Sequence, residues 1–179
     1  MILTGSKIKQ KVESGDVIIE PFHANLLNPN SYNYRLGHEL LVMRSRELDV
    51  HVQPQTDKII IPEEGYILQP GTLYLGHTLE TIGSTRYVPS LIGRSSLGRL
   101  GLFLQITADL GHIGTNHKWT LELTVVQPLR VYRGMRIGQV SFWMPEGVDL
   151  LDGKAYKEQP DSYAQYSTSV PSMISKFFE

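Results

Sequence analysis

Trp119-Thr120-Leu121-Glu122-Leu123-Thr124-Val125 alternates strictly, with Trp119, Leu121, Leu123 and Val125 on one face and Thr120, Glu122 and Thr124 on the other. A period of two belongs to a strand that packs one face on a core. The text on either side is punctuated in the same way. Val17-Ile18-Ile19, Lys58-Ile59-Ile60-Ile61, Tyr66-Ile67-Leu68, Thr72-Leu73-Tyr74-Leu75, Leu129 to Tyr132 and Ile137 to Trp143 are short β-branched or aromatic runs. The 16 glycines and 10 prolines fall mostly between such runs, so the turns are written into the chain. Many short strands at this spacing predict a sandwich, jelly roll or small barrel. One helix is predicted, from Thr4 to Ser14, with Ile8 and Val12 one turn apart, Thr4 or Ser6 as cap and Gly15 as stop.

The last stretch, Glu146 to Glu179, is polar, holds Tyr156, Tyr163 and Tyr166, and follows neither period. It reads either as a frayed tail or as an arm that closes over a site or a neighbour. The organisation is therefore one β domain over residues 1–145 and an arm or flap over 146–179.

Composition sets outer limits. With 179 residues there is room for one domain and its core. Lys+Arg 17 against Asp+Glu 18 leaves a net charge of −1, which lacks the basic excess that binds nucleic acid through phosphates. No apolar run approaches the ~20 residues of a membrane span, and the N-terminus lacks a basic stretch followed by an apolar one. The expectation is a cytoplasmic protein with neither a membrane nor a nucleic-acid partner. There is no cysteine, which excludes thiolate nucleophiles and every zinc site built on thiolates.

Two elements carry candidate chemistry. Gly93-Arg94-Ser95-Ser96-Leu97-Gly98-Arg99-Leu100-Gly101 puts two guanidiniums, two hydroxyls and three glycines into nine residues. Glycines admit close approach of backbone N–H groups to an anion, hydroxyls donate, and arginine forks match phosphate oxygens, so the stretch is either an oligophosphate cradle or a solvated turn. Glu122, on the polar face of its strand, is either a surface carboxylate or, if that face closes a pocket, a general base. Of six histidines only His112 and His117 are close in sequence, and their spacing fits no recognised metal motif.

These stretches, with Ile19-Glu20-Pro21-Phe22, Asn30-Ser31-Tyr32-Asn33-Tyr34-Arg35-Leu36-Gly37, Leu68-Gln69-Pro70-Gly71, Gly76-His77-Thr78-Leu79-Glu80 and Gly134-Met135-Arg136-Ile137-Gly138-Gln139, resemble the dCTP deaminase family of the dUTPase-like superfamily, in the family's order and over about residues 1–145. The resemblance implies an all-β, distorted jelly-roll (β-clip) fold, a homotrimer with active sites shared between neighbouring subunits, and deamination of a cytosine nucleoside triphosphate, dCTP to dUTP plus ammonia, without a resident cofactor or metal. Mg²⁺ would enter only as companion of the nucleotide.

Carried over by position, Glu122 would be the base that deprotonates water. Ser95 and Arg99 would order that water and the tetrahedral centre, and the Ala108 carbonyl would hold water or the leaving amine. Arg94 and Ser96 would serve the triphosphate, while Gln139 and Tyr163 would reach base or phosphates. Zinc-dependent cytosine deaminases need cysteine ligands this chain cannot supply, so the water must be activated by Glu122 and its neighbours.

The chain also departs from the family. The Asp that holds the deoxyribose 3′-hydroxyl is replaced by His112, and the aromatic residue that stacks under the sugar by Thr115. A neutral imidazole offers less negative charge than a carboxylate, so pyrophosphate release is expected to be disfavoured relative to deamination. The missing ring and the Thr115 hydroxyl suggest relaxed discrimination against a 2′-hydroxyl. In the arm, the lysine that touches phosphate is absent beside Tyr163, leaving Lys154 or Lys157 to compensate, and Asn33 stands where the family has Asp. A dUTPase or combined deaminase and diphosphatase, and a non-catalytic nucleotide-binding relative, are the competing readings.

Overall fold

The computed structural model describes residues 1–104, 107–147 and 167–178. Helix α1 (Gly5–Glu13) opens the chain and buries Ile8 completely, as the i,i+4 pattern requires. Thr4 takes the extended N-cap conformation, but its hydroxyl lies 3.3 Å from the Ser6 hydroxyl instead of capping the helix. Gly15, at φ +77°, ends the helix in the left-handed region that glycine enters freely.

Thirteen strands follow among the described residues, in four sheets. β1 (Val17–Glu20), β7 (Thr81–Ser84) and β10 (Thr115–His117) form one, in the order β1-β7-β10. A second runs β4-β3-β6-β11-β9, from β4 (Thr56–Ile60), β3 (Glu39–Met43), β6 (Tyr74–His77), β11 (Thr120–Val125) and β9 (Leu102–Leu104). β12 (Leu129–Val131) pairs with β5 (Tyr66–Leu68), and β13 (Arg136–Trp143) lies between β2 (Tyr32–Arg35) and β8 (Val88–Gly93). Every pairing is antiparallel. The all-β expectation with one short helix holds.

The deciding stretch forms β11, where Leu121, Leu123 and Val125 are buried and Thr120, Glu122 and Thr124 alternate with them at the outer face. β13 buries Ile137, Val140 and Phe142 in the same core. Truncating a fully buried leucine such as Leu121 to alanine is expected to cost about 2–5 kcal/mol.

The Thr78-Leu79-Glu80 stretch is a structural clamp. Glu80 is fully buried and accepts hydrogen bonds from the Arg35 N–H at 2.8 Å and Arg35 Nε at 2.6 Å. Thr78 Oγ1 donates to the Glu80 carbonyl at 2.7 Å and accepts from the Trp119 N–H at 2.9 Å, which fixes where β11 begins. Asn33 explains itself in the same way. Its Nδ2 donates to the Leu26 carbonyl and to Asn28 Oδ1, two acceptors that an aspartate would oppose.

Candidate active site

A cavity of about 430 Å³ opens on the outer face of β11, with Glu122 and Thr120 in its wall. Strand alternation alone turns these two side chains to the same side. The segment before β11 supplies more of the wall: Ala108, His112, Thr115, His117 and Trp119. β10 is held against β7 at Gly83, where a Cβ would collide with the Thr115 carbonyl, so glycine is required for the strands to approach.

Each wall residue is fixed by its surroundings. Thr115 is buried and its hydroxyl donates to the His112 carbonyl at 2.7 Å, closing the turn that presents the exposed His112. The Thr115 hydroxyl thus donates inside the loop and keeps its oxygen lone pairs as acceptors. His117 and Trp119, two residues apart on extended chain, stack with ring centroids 4.4 Å apart and planes 30° apart. Trp119 Nε1 donates to the Ile82 carbonyl at 3.0 Å. The alternation that grouped Trp119 with the inner leucines misplaces it: it precedes β11, packs on the core's margin and lines the cavity.

Part of the C-terminal arm lies at the cavity. Thr168, Val170, Pro171 and Ser172 line it, and the Val170 N–H donates to Thr120 Oγ1 at 3.3 Å. This segment is latched to the loop after β3. Gln53 Nε2 donates to the Ser172 carbonyl at 2.8 Å, Ser175 Oγ donates to Gln53 Oε1 at 3.2 Å, and the His51 and Phe178 rings lie 4.1 Å apart. Among residues 167–178, Thr168 and Val170 to Ser172 thus lie against the cavity. Tyr163, Lys154 and Lys157 lie outside the described residues.

The cradle is elsewhere. After β8, Arg94 caps a single helical turn α2 (Ser95–Gly98), held by backbone bonds from Gly98 N–H to the Arg94 carbonyl and from Arg99 N–H to the Ser95 carbonyl. The side chains of Arg94, Ser95, Ser96 and Arg99 take no hydrogen-bond or ion-pair partner among the described residues, and none lines the cavity. Gln139 is also away from the cavity wall, its Oε1 accepting from Ser31 Oγ at 2.8 Å and Asn28 Nδ2 at 3.4 Å. Within one chain the structure brings Glu122, Ala108, His112 and Thr115 together and leaves Ser95, Arg99, Arg94, Ser96 and Gln139 apart from them.

Sequence reasoning missed the His117–Trp119 pair, which was signalled only by two rings at i,i+2 in extended chain, and it offered an arm over a site without naming which of its residues line the cavity. Among the described residues no helix is long and apolar enough to cross a membrane.

Known proteins bear on this arrangement. Residues 2–144 match the family model described as dCTP deaminase-like. A protein of Hathewaya histolytica named dCTP deaminase, dUMP-forming, is 47% identical over 180 residues, covering 100% of both chains. Its namesake from Cytophaga hutchinsonii is 45% identical over 100% of this chain and 99% of its own. A solved structure, the 2′-deoxycytidine 5′-triphosphate deaminase of Agrobacterium tumefaciens, shares the fold at TM-score 0.64 and 21% identity, over 83% of this chain and 49% of that one. A match over most of the chain, with near-half identity across its whole length, makes this chain a member of the dCTP deaminase-like family and an enzyme of that hydrolase type.

Proposed function

We propose that this protein converts dCTP to dUMP, ammonia and pyrophosphate, consuming two waters, with Glu122 as the proton carrier of the deamination. The observation that carries the reading is Glu122 in the wall of a cavity that Ala108, His112 and Thr115 also line. In the first step water adds to C4 of cytosine. Glu122 takes the water's proton and hands it to N3, giving a tetrahedral carbon that bears both hydroxyl and amine. Glu122 then moves the hydroxyl proton to the amine, the C4–N bond breaks, and ammonia leaves behind a uracil carbonyl. Positioned proton transfer of this kind is worth roughly 10²–10⁴ in rate. In the second step water attacks the α-phosphorus and pyrophosphate departs.

The dUMP product replaces dUTP as the leading expectation, because the full-length relatives carry the name dUMP-forming. Deamination that stops at dUTP is the second reading. It rests on His112, exposed at the cavity where the family has a carboxylate.

The unpartnered cradle supports a homotrimer in which Arg94, Ser95, Ser96 and Arg99 of one chain meet Glu122 of a neighbour. In that assembly Arg94 and Ser96 bind the triphosphate, with Mg²⁺ as its companion, while Ser95 and Arg99 order water at the ring, and Gln139 and Tyr163 complete the contacts. The domain of residues 1–145 and the arm of 146–179 then act together, in the cytoplasm. Purified protein incubated with dCTP and, separately, with dUTP decides between the products. Ammonia and pyrophosphate in equal amounts from dCTP are expected; ammonia without pyrophosphate selects the second reading, and neither product overturns both.

A further inference from the structure

His117 is placed in the cavity wall with one ring nitrogen uncommitted. The residue is only 8% exposed, and its ring packs against Trp119 with the two planes 30° apart. Its Nδ1 lies 2.8 Å from the Lys118 carbonyl. A carbonyl only accepts, so Nδ1 carries the proton and Nε2 carries the lone pair. Burial pushes the imidazole below its usual pKa, which keeps it neutral near pH 7. Nε2 takes no hydrogen bond from the described residues.

An uncharged acceptor of fixed direction does not suit an anion; it suits an O–H or N–H donor. The neighbouring hydroxyls are partly engaged within the fold, Thr115 Oγ1 donating to the His112 carbonyl and Thr120 Oγ1 accepting from the Val170 N–H, and the Lys118 ammonium only donates, so His117 Nε2 is the neutral acceptor of this wall with no bond inside the described residues. Stacking on Trp119, whose own N–H is anchored to Ile82, holds the imidazole plane and so the direction of its lone pair.

We infer that His117 reads the nucleoside: its Nε2 accepts a hydrogen bond from a donor on the substrate, either the sugar 3′-hydroxyl or the cytosine 4-amino group. His117 is then a specificity-determining residue for the proposed dCTP reaction, on which this inference rests, and it supplies an acceptor beside the site where His112 stands.

The test uses the full chain and two variants, His117→Phe, which keeps a ring and removes the acceptor, and His117→Gln, which keeps an acceptor at similar reach. Ammonia release by the unaltered protein from dCTP is measured first; its absence overturns the proposed function itself. KM is then measured for dCTP and for 2′,3′-dideoxycytidine triphosphate. The Phe variant is expected to raise KM for dCTP about 5–10-fold, the loss of one neutral hydrogen bond, and the Gln variant to recover most of it. If the Phe variant also loses the preference of the unaltered protein for dCTP over the dideoxy analogue, the donor is the 3′-hydroxyl; if that preference is unchanged, it is the 4-amino group. A Phe variant with the unaltered KM, or Phe and Gln variants weakened equally, overturns the inference and leaves His117 as packing. Should the Phe chain fail to fold, His117→Ala takes its place under the same criteria.

Discussion

The wall around Glu122 and the turn Arg94–Arg99 both follow from short, recognisable stretches of sequence, yet they are built in opposite ways. The wall is held from behind by a five-stranded sheet, by ring nitrogens bound to carbonyls and by the segment 167–178 latched through Gln53. The turn buries no residue and leaves two guanidiniums and two hydroxyls without partners among the described residues. Atoms whose bonds change need a frame set before substrate arrives, because small misplacements there are costly. Arginines that meet phosphate gain from staying solvated until an anion, or a neighbouring chain, approaches, since a buried unpaired charge is penalised heavily.

The contrast predicts unequal losses. Glu122→Gln is expected to lower ammonia release roughly 10²–10⁴-fold while dCTP binding, measured by calorimetry, stays within a few-fold. Retained turnover would remove Glu122 from the role of base. Arg94→Ala is expected to act on binding instead, raising KM about 10–100-fold through loss of charge-assisted contacts to phosphate, with a smaller change in kcat.

Mixing the two halves sharpens the comparison further. If cradle and wall belong to different chains of one site, assembling Glu122→Gln with Arg99→Ala subunits restores activity in about a quarter of the sites, by random pairing. No restoration would place both halves in one chain.

The same division governs what the sequence revealed. β5 and β11 were legible because an apolar run or a strict alternation marks a half-buried strand, and Tyr66–Leu68 needed no adjustment. β2 was not. Tyr32-Asn33-Tyr34-Arg35 has no apolar alternation, because both tyrosines and the asparagine are buried, with Asn33 donating to the Leu26 carbonyl and the Tyr34 hydroxyl to the Ile92 carbonyl. β7 hides for a related reason, since Gly83 reads as a turn while it serves the close approach of β10. In the site, Glu122 and the cradle were visible as residue types in a pattern. The arm was legible only as a choice between tail and flap, and its lining residues Thr168 and Val170 were not, because backbone and small side chains do the packing there and leave no period to read.

A moderate effect is expected at the latch. Gln53→Ala removes a hydrogen bond on each side of Ser172–Ser175, each worth about 0.5–1.5 kcal/mol, and loosens the cavity's cover without touching its floor. KM should rise about threefold to tenfold with kcat nearly kept, and the C-terminal segment should become more sensitive to limited proteolysis. An unchanged KM would show that the latch does not hold the working form.

The smallest effect separates the two regions by pH. His77 and His117 are both buried, and burial lowers both imidazole pKa values below the usual 6.5. His77 Nδ1 binds the Thr78 carbonyl while its Nε2 has no partner, so the folded state has no acceptor waiting for a second proton. As pH falls below 6.5 the unfolded chain takes up protons that the folded chain resists. Stability therefore rises with pH in that window and is lost on acidification towards the lowered folded values. The arginines of the cradle stay charged throughout. Melting temperature should fall between pH 7 and pH 5.5, and His77→Gln should flatten the slope by removing one of the two protons. An equally steep slope in that variant would show that acid acts on some other part of the fold, and would break the assignment of pH sensitivity to the buried imidazoles.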